Sequence, residues 1–286
     1  MRVSLIVLFS MILPTLISAQ VIESYISVDG EVNFEFDKNF IQSKSISEIR
    51  STYSSKKPNK VITPDLSKNS LLRFNKNGNI EEHKNTFEIA GNKIKKHEIS
   101  DYKNNRIQEK LELDHLGYFK TYYTYSEDTV FYNSYRSSEY SPENSIINDS
   151  ILVNSGFQTR FKNTTYFYNK NGVNTKSTTT ELDSIGLLKS ELTRFVFSPN
   201  IIEKTYTYNE EGLVNQVKLK TIGSLKTFKY FYNRTSNLER VEYHNHDKLV
   251  TEYEIVYNSS GWVDAIIKHD LASQFITIER MTYSFF

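Results

Sequence analysis

Tyr206-Thr207-Tyr208-Asn209-Glu210-Glu211-Gly212 recurs in near-copy at Tyr166-Phe167-Tyr168-Asn169-Lys170-Asn171-Gly172, Tyr230-Phe231-Tyr232-Asn233-Arg234-Thr235-Ser236-Asn237 and Ile255-Val256-Tyr257-Asn258-Ser259-Ser260-Gly261. Two aromatics spaced by one residue point to the same side of a strand. Asn folds its side chain onto the backbone two residues ahead and starts a turn. Gly, or a small polar residue in its place, accepts the positive φ that ends such a turn. An alternating strand follows, as in Leu213 to Lys220, where Leu213, Val217 and Leu219 share one face and Gln216, Lys218 and Lys220 the other. Weaker copies stand at Phe74-Asn75-Lys76-Asn77-Gly78, Leu113-Asp114-His115-Leu116-Gly117 and Leu182-Asp183-Ser184-Ile185-Gly186.

Asn209, Asn233 and Asn258 lie 24 and 25 residues apart, with a plainer turn between them near Gly223 and near His246. Each period is a hairpin. Continued along the chain, this predicts about 14–18 antiparallel strands of about 8–10 residues. Open twisted sheets rarely exceed about 10 strands, so the all-β meander is expected to curl on itself or spiral, with aromatics lining its covered face. Whether the curl closes is left open.

Upstream, Ile26-Ser27-Val28, Asp29-Gly30 and Val32-Asn33-Phe34-Glu35-Phe36 predict a hairpin within 20–40. Residues 41–70 are rich in Ser and Lys, carry Pro58 and Pro64, and read as a linker to a repetitive sheet domain over 71–286. Helical spacing is confined to Phe40–Tyr53. Residues 1–19 have the layout of a secretory leader: Arg2, an apolar run from Leu5 to Ile17, then Ser18-Ala19. This predicts a secreted or otherwise extracytoplasmic protein beginning at Gln20, with no membrane-spanning helix after leader removal.

The chain has 20 Tyr, 18 Phe, one Trp and no Cys. Aromatics suit a pleated, half-buried surface, and the missing thiol removes disulfides, thiolate metal sites and a cysteine nucleophile. Basic residues number 35 against 34 acidic ones, scattered throughout. No basic stripe marks a nucleic-acid partner.

The Tyr-x-Tyr-Asn-x-x-Gly stretches resemble the YD repeats of Rhs-type and teneurin-like proteins, whose core runs roughly Tyr-x-Tyr-Asp-x-x-Gly-Arg-Leu. The resemblance covers about residues 70–286 and is clearest from Tyr166. Asn stands for Asp in the best copies, and the Arg after Gly is missing (Val173, Leu213 and Trp262 occupy that place). The resemblance implies a long spiralling hairpin sheet and a carbohydrate or protein partner at the cell surface. It brings no catalytic residues.

No nucleophile elbow, His-Glu-x-x-His pair or phosphate loop occurs in the sequence. No cofactor is expected, and a non-catalytic binding or scaffold role follows. The candidates for ligand contact are Trp262, Tyr257, His244 and His246. His244 and His246 would share a strand face, one ligand short of a metal site, and a polar turn is the plainer account of them. Tyr257 sits in the aromatic ladder, whereas Trp262 follows a turn where other copies carry Val or Leu. Two further readings stay open. An outer-membrane barrel is one, although stepping back from Phe286 in twos reaches Arg280, costly against lipid. A secreted glycan-active enzyme is the other.

Overall fold

The computed structural model describes residues 20–286 apart from 28, 90–91, 115, 142–145 and 149. The leader expected over 1–19 lies outside the described residues. The chain runs β1 (Ile22–Ile26), β2 (Val32–Phe36), α1 (Lys38–Ser43), β3 (Ile46–Lys56), β4 (Thr63–Phe74), β5 (Ile80–Ile89), β6 (Asn92–Lys103), β7 (Arg106–Asp114), β8 (Gly117–Ser126) and β9 (Thr129–Ser137). A short arm follows, β10 (Glu139–Ser141) and β11 (Ile146–Asn148). Then come β12 (Ile151–Phe161), β13 (Thr164–Asn169), β14 (Asn174–Leu182), β15 (Leu188–Phe195), β16 (Ile201–Tyr208), β17 (Val214–Thr221), β18 (Ser224–Tyr232), β19 (Leu238–Asn245), β20 (Lys248–Tyr257), β21 (Val263–Asp270) and β22 (Phe275–Phe285). No helix among the described residues is long and apolar enough to cross a membrane, which leaves crossing by strands unaddressed.

The antiparallel all-β class holds, but the expected spiral does not form. β22 pairs with β3, with Met281 opposite Ser51 and Tyr283 opposite Ile49. β9 pairs with β12. These pairings close an 18-stranded barrel. Closure satisfies every strand edge from within the wall, which a spiral leaves open at both ends. The segment expected as a linker, 41–70, instead supplies β3 and the first part of β4, two strands of that wall. Expected helix over Phe40–Tyr53 is confined to Lys38–Ser43, where the Asp37 side chain accepts from the Phe40 N–H.

The repeated turn has one geometry. In the copies led by Asn75, Asn169, Asp183, Asn209, Asn233 and Asn258, the side-chain Oδ1 accepts from the backbone N–H groups two and four residues on, at 2.9–3.1 Å. The residue three on has positive φ: Gly212 at 79°, and Ser236 at 60° where Gly is replaced. The second tyrosine of the motif then ties one hairpin to the one before. Tyr208 Oη donates to the Leu188 carbonyl, Tyr232 to Val214, Tyr257 to Leu238 and Tyr283 to Val263, at 2.6–2.8 Å. Each acceptor opens the strand that follows the preceding turn, beside a bulge. Phenylalanine in that place would leave the carbonyl unpaired.

Connections alternate between the two barrel ends. Of the six turns with this geometry, five lie at one end and the Asn169 turn at the other, where the weaker Asp114 copy also lies. The chain winds round the barrel in one direction, so a turn of the same hand placed at the opposite end must present its faces reversed. Register agrees: Tyr208 and Phe74 point inward, whereas Tyr166 and Tyr168 stand on the outer face beside Thr159 and Phe157. The expectation that every copy lines the covered side fails there for this reason.

The β1–β2 hairpin runs inside the barrel. Its apolar face meets Lys204 of β16, Tyr230 of β18, Tyr253 of β20, Tyr283 of β22 and Phe74 of β4. Those contacts span nine neighbouring strands, about 38 Å of wall at about 4.8 Å per strand. A two-stranded hairpin reaches that far only from the concave side. α1 lies at the end where the Asn turns cluster, with Phe40 edge-on to Trp262 at 5.9 Å and Lys38 Nζ donating to Asn79 Oδ1 at 2.6 Å.

A Cβ at position 212 meets open space, so Gly212→Ala isolates the cost of positive φ. That substitution is expected to destabilise the protein by about 1–2 kcal/mol, and Ser236→Gly to stabilise it by about 0.5–1 kcal/mol. Urea midpoints that move the other way would show that the turn is not read correctly.

Candidate functional site

The inner wall has two unlike halves. From β16 to β22 it is aromatic and aliphatic, and the hairpin seals it: Ile22, Ile26, Phe34 and Phe36 pack with Phe228, Val241, Ile255 and Met281. The hairpin's opposite face is polar. Register puts Glu23 opposite Glu35 and Tyr25 opposite Asn33, and Tyr25 is 48% exposed. This face looks across a cavity of ≈ 610 Å³ at the inner side of β22 and β3–β7, where Tyr53, His83, Glu98, Tyr102, Lys110 and Glu279 line the wall. A second cavity of ≈ 460 Å³ shares His83, Asn85 and Glu98 with the first and continues to Glu112, Asp114, Phe119 and Arg136. The two form one polar lumen.

The registers set Leu72, His83, Glu98, Glu112, Phe119 and Arg136 in a single row across β4 to β9. Glu98 faces Glu112 directly, an arrangement that is unfavourable unless a cation intervenes. Lys110 supplies it, with Nζ at 2.9 Å from Glu98 and 3.3 Å from Glu112. Burial disfavours the Lys110 charge, yet the two carboxylates outweigh it and hold its pKa above the ordinary value. Arg136 makes a two-pronged pair with Asp114 at 3.0 and 3.2 Å, its guanidinium 5.4 Å from the Phe119 ring. The Asn85 amide donates to His83 Nε2 at 2.8 Å. Burial pushes His83 below its ordinary 6.5, against the pull of Glu98. Burial, with Glu279 beside it, pushes the Tyr53 phenol up.

The residues singled out from sequence are scattered. Trp262 is half-buried between Phe40, Tyr283 and Phe285, with ring centroids 5.1–5.9 Å away. Tyr257 spends its hydroxyl on Leu238, and burial raises its pKa. His244 bonds Glu242 at 3.0 Å on the outer side of β19. β19 ends at Asn245, so His246 enters the turn at φ 47° and does not share a strand face with His244. None of the four lines the lumen cavities. The luminal row escaped sequence reading because its residues come from six separate strands. Its one sequence signal is charge on both faces of β5–β7, as in Glu81-Glu82-His83-Lys84.

No protein-family model matches the chain, and no curated protein matches it. Among solved structures it is similar to a porin-like protein from Bacteroides uniformis (TM-score 0.41, 10% identity, covering 84% of this chain and 98% of that one). It is also similar to a porin-like protein from Bacteroides vulgatus (0.27, 11%, 81% and 97%). A LolA superfamily protein from Nitrosomonas europaea follows (0.26, 7%, 84% and 84%). What the fold and lumen define is a β-barrel plugged by its own N-terminal hairpin. Its chemistry is read from its own residues.

His83 stays neutral in the folded protein at a pH where the unfolded chain has taken up a proton. Stability is therefore full above about 6.5, falls as pH drops from there toward the depressed folded value, and levels off below it. Thermal midpoints recorded from about pH 7 to about pH 5 are expected to decline less in His83→Asn than in the wild type. Parallel curves would rule out His83 as the group responsible.

Proposed function

We propose that this protein is a water-soluble, extracytoplasmic binding barrel that takes a small neutral polar ligand, carbohydrate in class, into its lumen without performing chemistry on it. The luminal row carries this reading. Lys110 with Glu98, Arg136 with Asp114, and Asn85 with His83 each place a donor beside an acceptor. Such pairs match the vicinal hydroxyls of a sugar, and their charges are already compensated, so an uncharged ligand suits them better than an ion. Tyr25, Tyr102 and Phe119 offer rings for the ligand's C–H faces. Glu98 and Glu112 are drawn to the same ammonium, unlike an acid and a base standing apart across a scissile bond.

The closed antiparallel barrel, together with the leader expected over 1–19, favours a second reading as an outer-membrane pore. The outer face speaks against lipid contact. Mid-strand positions there hold Lys218, Lys229, Arg240, Glu252 and Arg280. Arg73 pairs with Glu48 at 3.0 Å and Glu82 at 2.7 Å, and Glu82 with Lys84 at 2.6 Å, across the outside of β3–β5. An Arg or Lys facing the bilayer midplane costs about 2–4 kcal/mol, and a barrel that spans needs an apolar band about 25 Å tall. The paired aromatics on this face, Tyr122–Tyr135 and Phe131–Phe157–Tyr168, cover only the four neighbouring strands β8, β9, β12 and β13.

Two measurements test these readings. The chain over 20–286 is expected to stay in the aqueous phase without detergent; recovery only in detergent would replace the first reading by the second. Calorimetric titration against a saccharide panel is expected to find a binder whose affinity falls about tenfold in Tyr25→Ala and in Arg136→Met, in line with losing one or two good contacts. Turnover of any panel member would overturn the non-catalytic assignment.

A further inference from the structure

The two barrel ends differ in what their connections expose. At the end holding α1 and the clustered Asn turns, the tips are polar: Asn75–Asn79, Asn104-Asn105, Glu127-Asp128, Asn209–Gly212 and Asn233–Asn237. Trp262 and Leu213 turn partly inward there. Exposed apolar residues at this end are confined to a sector with Phe161, Leu182 and Ile185 and to the C-terminal Phe285 and Phe286. At the opposite end five of the described connections lift an apolar side chain into solvent, whereas the β19–β20 and β21–β22 turns do not. Val61 and Ile62 stand in the β3–β4 loop, Leu116 between β7 and β8, Val173 between β13 and β14, Phe197 between β15 and β16, and Ile222 between β17 and β18. Val61 is 78% exposed, Phe197 74% and Ile222 63%. Lysines are interleaved with them: Lys57 and Lys60 share the loop of Val61, and Lys170 shares the turn of Val173.

From these tips we infer that the barrel docks end-on onto a lipid bilayer surface through its apolar-tipped turns, a surface separate from the luminal site. Successive turns at one end are two strands apart, roughly 10 Å. The apolar tips are thus separate points round a rim. A specific protein partner needs a contiguous patch of about 800 Å² with matched shape. A fluid bilayer conforms to separate points, accepts each tip into its interfacial layer, and rewards lysines between them when its headgroups are anionic. The rest of the exterior is too charged to enter lipid, so contact stops at the rim. The row Glu112, Phe119 and Arg136 lies toward this same end, near the starts and ends of β7–β9, so a docked barrel presents that part of its lumen to the membrane.

The test is flotation of the chain over 20–286 with vesicles of phosphatidylethanolamine and phosphatidylglycerol. The wild type is expected to float with them. The triple variant Val61→Ser, Ile62→Ser, Phe197→Ser is expected to lose binding by at least about tenfold, and Ile185→Ser, at the other end, to bind as the wild type does. A second measurement guards against misfolding of the triple variant. Phe197→Trp adds a reporter at the rim, whose fluorescence brominated lipid should quench while the native Trp262 signal persists in the wild type. Failure of the wild type to float, equal flotation of the triple variant, or equal quenching of Trp262 and of the new tryptophan would each overturn the end-on docking. Saccharide binding in solution without vesicles is unaffected by any of these outcomes.

Discussion

The structure depends on the burial of one face of a five-residue-per-strand hairpin against a wall of tyrosines. An antiparallel barrel of this strand number encloses more space than its own inward side chains fill. Left empty, that space would wet Phe228, Val241 and Ile255, all within 3% of full burial. Ile22, Ile26, Phe34 and Phe36 fill it on one side, and Phe40 and Ile41 of α1 close one end. Each such side chain contributes about 1.5–3 kcal/mol when fully buried, an upper bound because the unfolded chain is itself partly compact. Lys204 and Lys226 fix the hairpin's far end by donating to the carbonyls of Ile26 and Asp29 at 2.8 and 2.5 Å. Since only one hairpin face is apolar, the other half of the interior stays wet. The plug and the polar lumen are two consequences of the same amphipathic hairpin.

The turns were legible in sequence because their information is local. Asn or Asp, two polar residues and Gly specify the side-chain bonds and the positive φ within five positions; in the hairpin Gly30 supplies the positive φ and Ser27 Oγ accepts from the Glu31 N–H. The curl was legible from strand count alone. Residues 41–70 were not, and the reason is physical. A linker and a strand that is wet on both sides have the same composition. In β3 and β4 only Ile46, Ile49, Leu72 and Phe74 touch the core cluster, while Ser51 and Ser70 face the lumen cavity and Glu48, Arg50 and Arg73 form ion pairs outside. Such strands show no hydrophobic alternation because neither face is dry. Their pairing is dictated by β22 on one side and β5 on the other, partners distant in sequence. The luminal row suffers the same fate, being contributed one residue at a time by successive strands.

Trp262 shows how a local irregularity misleads. Its place in the repeat belongs to the residue whose N–H closes the Asn turn, where Leu213 and Val173 stand in other copies. A larger ring there suggested contact with a ligand. In the folded chain it meets Phe40, because α1 crosses that end of the barrel and needs an aromatic to rest upon. The cue was real, but its partner lay more than two hundred residues away in the sequence.

The winding sense of the barrel links these features to its polarity. A 24–25-residue period places the Asx turns led by Asp183, Asn209, Asn233 and Asn258 at one end, since every second connection returns to the same side. These turns consume their polar side chains on their own backbone and therefore present Asn, Glu and Ser to solvent. Connections at the other end that lack this turn have no such demand and carry Val61, Ile62, Phe197 and Ile222. The Asn169 copy, displaced to that end, obeys the same geometry in reverse. Its tyrosines emerge outside, where Phe157 stacks on Tyr168 at 4.7 Å. One chiral turn used in a closed, singly wound sheet thus generates a barrel whose two ends and two wall halves are all chemically distinct, although the chain that builds it is nearly periodic.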